Sequence, residues 1–322
     1  MTEKRAFIIV NTGSPECNIP SIKTFLKLFL SDKHVIRMPK VFWYPILYGI
    51  ILRKLPVILL NKYQEIAIHV TAPLLFYEKQ LTKKLHMLVG MHNIRFFYAN
   101  LYSRPYIEDI LQICINENIS DIKVLPLFAQ YSGVTTKAVI DKFRKHDIDN
   151  YKLSFITEFY ANTLYIKALL NKLDFKHINA DTPLLLAYHS LPQSYIKKEN
   201  LYIKHCINTS KLIDEAIGRR CPVYTVFVSK FGKGKWLKPS LTDILQKLKN
   251  QNVKTVNLMS PGFMLDCLET IYDVKRDAFT FCKNEDMKVN YLPCLNDLHG
   301  SDTTIGTLAT KSHTDHRGRQ PQ

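Results

Sequence analysis

The chain has 322 residues, is 46% hydrophobic and carries a formal net charge of +16. That length is too great for one minimal domain and fits one large α/β unit or two similar halves, with enough apolar residues for a substantial core. No run reaches the ~18 uninterrupted apolar residues of a membrane span, and MTEKRAFIIVNTGSP, with only a short apolar run before Asn11, is not a signal peptide.

Taken in chain order, short apolar, β-rich runs fall at 6–10, 95–99, 122–128, 153–157, 184–188, 223–228, 255–259 and 289–292. Helical periodicity lies between most of them, at 21–30, 106–117, 165–173, 208–216 and 241–249. Strands alternating with helices indicate an α/β fold with parallel sheets. Four strands fall in each half of the chain, so two Rossmann-like, doubly wound halves are expected, residues 1–160 and 161–300, with their sheets facing a central cleft. No sequence repeat is visible beyond this alternation.

Segment 41–60, VFWYPILYGIILRKLPVILL, interrupts the rhythm. It is apolar and aromatic but broken by Pro45, Arg53, Lys54 and Pro56. It reads first as a core helix pair. The alternative is an exposed apolar lip that covers a flat ligand or touches a membrane. Residues 301–322, rich in Thr, Gly, His and Arg, read as a divergent tail, disordered after about Lys311, and His313 and His316 in it are not taken as ligands.

The lysines behind the net charge are spread along the chain, the densest patch being Lys230, Lys233, Lys235 and Lys238. A solvated basic surface is the simplest reading. No basic stripe with interleaved aromatics marks a nucleic-acid site. The seven cysteines form no CxxC pair, which points to reduced thiols in a cytoplasmic compartment and away from a zinc site or an iron–sulfur cluster.

In open parallel sheets, ligands bind beyond the carboxyl ends of the strands. The loops there read NTGSPE, AQYSGVTT, HSLPQSY and SPGFMLDCLET. His189 follows its strand directly, and a neutral imidazole can bind a borderline metal or take a proton. A hydrogen-bonded structural histidine is the alternative. Asp266 reads as the N-cap of a helix on which Glu269, Asp273 and Asp277 recur at i, i+4 and i+8. Such a stripe suits cations or protons if it faces a cleft, and is a solvated acidic face if it does not. Trp236 is read as packed. No phosphate-binding, nucleophile-elbow or zincin motif occurs.

Taken together, AYHSLPQSY, SPGFMLDCLETIYD, NTGSPE, FLSDKHVIRMPK, APLLFYEKQ, LPLFAQYSGVTT, KFGKGKWLKP and YLPCLND resemble ferrochelatase segments in family order. The resemblance runs from about Ala6 to Asn296. It implies insertion of ferrous iron, as substrate, into a porphyrin, protoporphyrin IX foremost, to form haem with release of two protons. It implies no organic cofactor. His189 matches the metal-binding, proton-abstracting histidine and Glu269 the catalytic glutamate. Asp273 and Asp277 fall where further acids of a proton or metal path stand. Ser14, Tyr131 and Ser132 lie where porphyrin contacts are expected, and 41–60 matches the lip. The implied setting is the cytoplasm, with at most peripheral contact at the inner membrane.

The sequence also departs from the family pattern. NTGSP stands for N-L-G-T-P. Leu101 stands where an arginine is common, Val228 replaces the glutamine of Q-S-R-F-G, and the last stretch does not resemble the usual terminal helix. The rival readings are a related chelatase for another metal or tetrapyrrole and a weakened, non-catalytic porphyrin-binding homologue.

Overall fold

The computed structural model describes residues 4–89, 93–146, 152–230, 232, 234–296 and 301–310. The strands are β1 (Arg5–Asn11), β2 (Ile94–Asn100), β3 (Asp121–Pro126), β4 (Lys152–Phe155), β5 (Leu184–His189), β6 (Val223–Val228), β7 (Thr255–Met259) and β8 (Lys288–Leu292). They form two four-stranded sheets of orders β2-β1-β3-β4 and β6-β5-β7-β8, with every pairing parallel. The second order is the first shifted by four strands, so the fold repeats internally where the sequence shows no repeat.

The central strands are buried on both faces and therefore read as unbroken apolar runs. Ala6–Val10 and Leu184–Tyr188 are buried throughout.

Helices cover both faces of each sheet. They are α1 (Ile19–Ser31), α2 (Lys40–Ile46), α3 (Leu52–Ile66), α4 (Pro73–Val89), α5 (Ile107–Asn116), α6 (Thr136–Phe143), α7 (Thr163–Leu170), α8 (Asn200–Ala216), α9 (Leu241–Asn250), α10 (Asp277–Asn284) and α11 (Ser301–Thr310). Local chemistry sets their ends. Asn18 caps α1 by accepting from the Ser21 N–H, and Ser240 with Asp243 forms a capping box on α9. Ile22, Leu26 and Leu30 are the buried stripe of α1. α8 begins eight residues before the expected helix start at 208 because its first turns turn polar or mixed residues inward, among them Tyr202, His205 and Cys206.

Segment 41–60 is not a core helix pair. α2, a π turn at Leu47–Ile51 and α3 run on as one helical stretch, Lys40–Ile66, long and apolar enough by composition to cross a membrane. One face packs into the core through Trp43, Leu47, Leu52 and Tyr63. The other leaves Val41, Phe42, Ile50, Val57 and Ile58 exposed. The mixed pattern arises because one side chain in each turn faces the core while its neighbours do not.

The first part of the tail forms a helix that the sequence does not signal. Ser301–Thr310 is helical, with Ile305 fully buried, and Lys123 Nζ donates to the Leu308 carbonyl at 3.1 Å. Packing against α4 and α7 supplies what a Thr- and Gly-containing sequence lacks in propensity. His313 and His316 lie outside the described residues.

Candidate active site

In each sheet the chain leaves the first strand for one side and returns for the third on the other. The crevice at such a switch point lies beyond the carboxyl ends of those two strands. The switch points here are β1/β3 and β5/β7. The loops after these four strands line one shared cavity of about 730 Å³, within the usual range for small-molecule sites.

From the first sheet come Thr12, Gly13 and Ser14, then Phe128, Gln130 and Ser132. From the second come His189 to Tyr195, then Gly262 to Leu265 and Cys267 to Glu269. α1 and the residues after it add an apolar wall of Phe25, Phe29, Leu30, Val35 and Ile36, and Leu74 joins it from α4. Lys230 and Lys235 line the cavity from the loop after β6.

Gly13 is required where it stands. Its φ is +86°, and a Cβ would lie 2.2 Å from Ser103 Oγ and 2.8 Å from Asn100 Cβ. The turn delivers Ser14, a buried residue whose N–H donates to Ser103 Oγ at 3.1 Å.

His189 is the last residue of β5. Its Nδ1 lies 2.7 Å from the Ser190 carbonyl. A carbonyl only accepts, so Nδ1 carries the proton and Nε2 keeps its lone pair for a metal or a proton. The ring is exposed in the cavity, near Phe263 at 6.5 Å between centroids. The Tyr202 hydroxyl holds the His189 carbonyl at 2.9 Å.

Glu269 and Asp273 line the same cavity. The helix that carries them is a π-helix, Glu269–Arg276, continuing into α10. Its i→i+5 ladder is a form concentrated at functional sites. Asp266 does not cap it. Its buried carboxylate instead accepts from Thr270 Oγ1 at 2.8 Å, Asn296 Nδ2 at 2.8 Å and Tyr291 Oη at 3.2 Å. Asp266 therefore ties the start of the helix to the segment after β8.

Electrostatics grade the stripe. Burial, then the Glu269 charge, raises Asp273 above the ordinary aspartate value. Burial raises Asp277 too, and Lys62 and Arg276 oppose the rise. Asp277 opens α10 and is not among the lining residues. Tyr63 and Cys267, which flank Glu269, are pushed well up by burial and by its charge. Among the described residues, no three His, Cys, Asp or Glu side chains converge as a metal cage.

The remaining sequence candidates divide. Ser132 lines the cavity, but its hydroxyl donates to Glu199 at 2.9 Å. Tyr131 is not a lining residue, and its N–H donates to His205 Nδ1 at 3.2 Å. Trp236, expected to be packed, is a half-buried part of the cavity wall. The bridge between Pro192 and Trp236 places it there. Sequence reasoning missed Gln130. Its side chain is buried in the wall and donates to Thr209 Oγ1 at 3.1 Å and to the Pro261 carbonyl at 3.4 Å.

The architecture is that of the chelatases. The structure of SirB from Bacillus subtilis with Fe3+ superposes with a TM-score of 0.54 at 11% identity, covering 94% of this chain and 92% of that one. The ferrochelatase family model matches residues 4–313. The coproporphyrin III ferrochelatase of Enterococcus faecalis is 34% identical over 289 residues, 85% of this chain and 88% of that protein. The ferrochelatase of Vibrio parahaemolyticus is 31% identical over 309 residues, 91% and 93% of the two chains. The chain belongs to the ferrochelatase family.

Proposed function

We propose that the protein inserts ferrous iron into protoporphyrin IX, forming haem and releasing two protons. The observation that carries this reading is that His189, with Nε2 free, and the Glu269–Asp273 pair line one largely apolar cavity.

Iron must shed water and the ring must lose two pyrrole protons. His189 Nε2 takes one as general base. The carboxylates hold a cation whose charge relieves their mutual repulsion, and they accept the second proton or stabilise the charge that develops. The apolar wall buries the macrocycle. Lys230 and Lys235, the lysines among the described lining residues, are a match for the acidic groups of the ring.

Asp277 sits one step further from the cavity and serves iron or proton delivery. Reaction in the cytoplasm suits the seven free cysteines. The exposed face of α2 and α3 allows peripheral membrane contact.

Anaerobic incubation of the pure protein with Fe2+ and protoporphyrin IX, followed by absorbance, tests the reading. The free-base spectrum is expected to give way to that of haem. Faster turnover with coproporphyrin III would overturn the substrate assignment, and insertion of cobalt but not iron would favour a chelatase for another metal.

A further inference from the structure

Glu199 lies where three separate segments of the cavity wall meet, yet neither it nor its partner Arg37 lines the cavity. Its side chain is 2% exposed. One carboxylate oxygen accepts from Ser132 Oγ at 2.9 Å and from the Gly133 N–H at 2.8 Å, both in the loop after β3. The other pairs with the guanidinium of Arg37, in the segment between α1 and α2. That guanidinium lies 4.2 Å over the ring of Tyr195, in the segment after β5. The Arg37 N–H donates to Tyr195 Oη at 3.0 Å, and Tyr195 Oη donates to the Val35 carbonyl at 3.2 Å. Gly133 leaves room for the junction: a Cβ there would lie 2.5 Å from Glu199 Oε1 and 3.2 Å from Arg37 Nη2.

Each of the three segments supplies wall on its cavity side. Val35 and Ile36 come from the first, Ser132 and Val134 from the second, Tyr195 from the third. The far end of the 40–66 helical stretch is also held to the second half, by Arg276 with Glu65 at 3.1 Å and by Lys62 over Tyr272 at 4.1 Å. Those contacts are half exposed and therefore weak. The Arg37–Glu199 pair is buried at its carboxylate and only partly exposed at its guanidinium, and such pairs act through geometry more than through net stability. A planar guanidinium that both stacks and pairs fixes one arrangement, which a lysine does not reproduce.

We propose that Arg37 and Glu199 are positioning residues that latch the root of the apolar lip to the second half, so that the Val35–Ile36 wall is preformed for the porphyrin. The latch sets how tightly and how long the macrocycle is held. It does not touch the metal or the reacting nitrogens. The inference rests on the porphyrin reading of the cavity.

The test uses the full-length protein and four variants: Arg37→Met, Arg37→Lys, Glu199→Gln and the Arg37→Met/Glu199→Gln double. Protoporphyrin IX binding and dissociation are followed by fluorescence, and iron KM and kcat are measured at saturating porphyrin. The loss of one coupled contact predicts a porphyrin Kd raised about tenfold in Arg37→Met and in Glu199→Gln, through faster dissociation, with a double variant no worse than the weaker-binding single. Iron KM and kcat stay within about twofold of wild type, and Arg37→Lys recovers only part of the affinity. Arg37→Met, at a partly exposed position, keeps the test decisive if Glu199→Gln fails to fold. A porphyrin Kd unchanged in folded Arg37→Met, effects that add in the double variant, or a fall in kcat without a change in Kd would overturn the latch. Wild-type protein that does not bind protoporphyrin would overturn the reading of the cavity, and the latch with it.

Discussion

The side-chain amide of Gln130 in the first half donates to the Pro261 carbonyl in the second, at 3.4 Å. The same nitrogen donates to Thr209 Oγ1 on α8 at 3.1 Å. Pro261 opens the loop that leads to Glu269, so the contact couples the β3 switch loop to the carboxylates. Buried Gln130→Leu removes the donor to Thr209 Oγ1, while the Pro261 carbonyl keeps the Tyr165 hydroxyl as a donor, and costs about 1–3 kcal/mol. Chemical denaturation should show that loss. An unchanged midpoint would mean that the two halves are not held together here.

The three acids of the π-helix should differ in effect. Glu269→Gln removes a charge from the cavity and is expected to lower kcat by at least ~10²-fold while porphyrin binding persists. Asp273→Asn should raise the iron KM. Asp277→Asn should be mildest, because Asp277 lies off the cavity wall. Equal, near-wild-type rates in all three would make the stripe a solvated surface.

Glu78 predicts how stability changes with pH. It is fully buried in α4, accepts from Asn100 Nδ2 at 3.2 Å, and burial raises it from 4.5 to about 8. Between those two values the folded state binds a proton that the unfolded state has lost. Stability therefore falls as pH rises from 4.5 through 8, by an amount on the order of a few kcal/mol. Glu78→Gln, which mimics the neutral acid, should gain on wild type at pH 8 and match it at pH 4.5. Parallel pH profiles for the two proteins would contradict the buried neutral acid.

The strands were legible almost to the residue, because buried parallel strands are continuous apolar runs bounded by turns. That His189 and Glu269 would line the cavity was legible for a related reason: in such sheets the ligand crevice lies beyond the carboxyl ends of the strands. The π-helix was not legible, since i, i+4, i+8 acids share a face in either kind of helix. α11 was missed because tertiary burial of Ile305, and not propensity, makes it helical. Gln130, Arg37 and Glu199 were invisible for a third reason. Arg37 and Glu199, for example, are 162 residues apart, and nothing local marks a polar residue whose partner comes from another segment.

The 40–66 stretch passes the length and apolarity test for a membrane span, but its inner face is committed to the core through Trp43, Leu47 and Tyr63. Arg53 and Lys54 near its middle would each add roughly 2.5–3.5 kcal/mol to insertion. A high-salt or alkaline wash should release any membrane-bound protein. Retention until detergent is added would contradict peripheral contact.

The most direct test of the account is a single turnover on pre-bound protoporphyrin IX in His189→Ala, mixed anaerobically with Fe2+ and compared with wild type in the same buffer. The account predicts that the variant binds the porphyrin but keeps its free-base spectrum while wild type converts to haem, a rate difference of at least ~10²-fold. Conversion of the bound porphyrin by folded His189→Ala at the wild-type rate would contradict it.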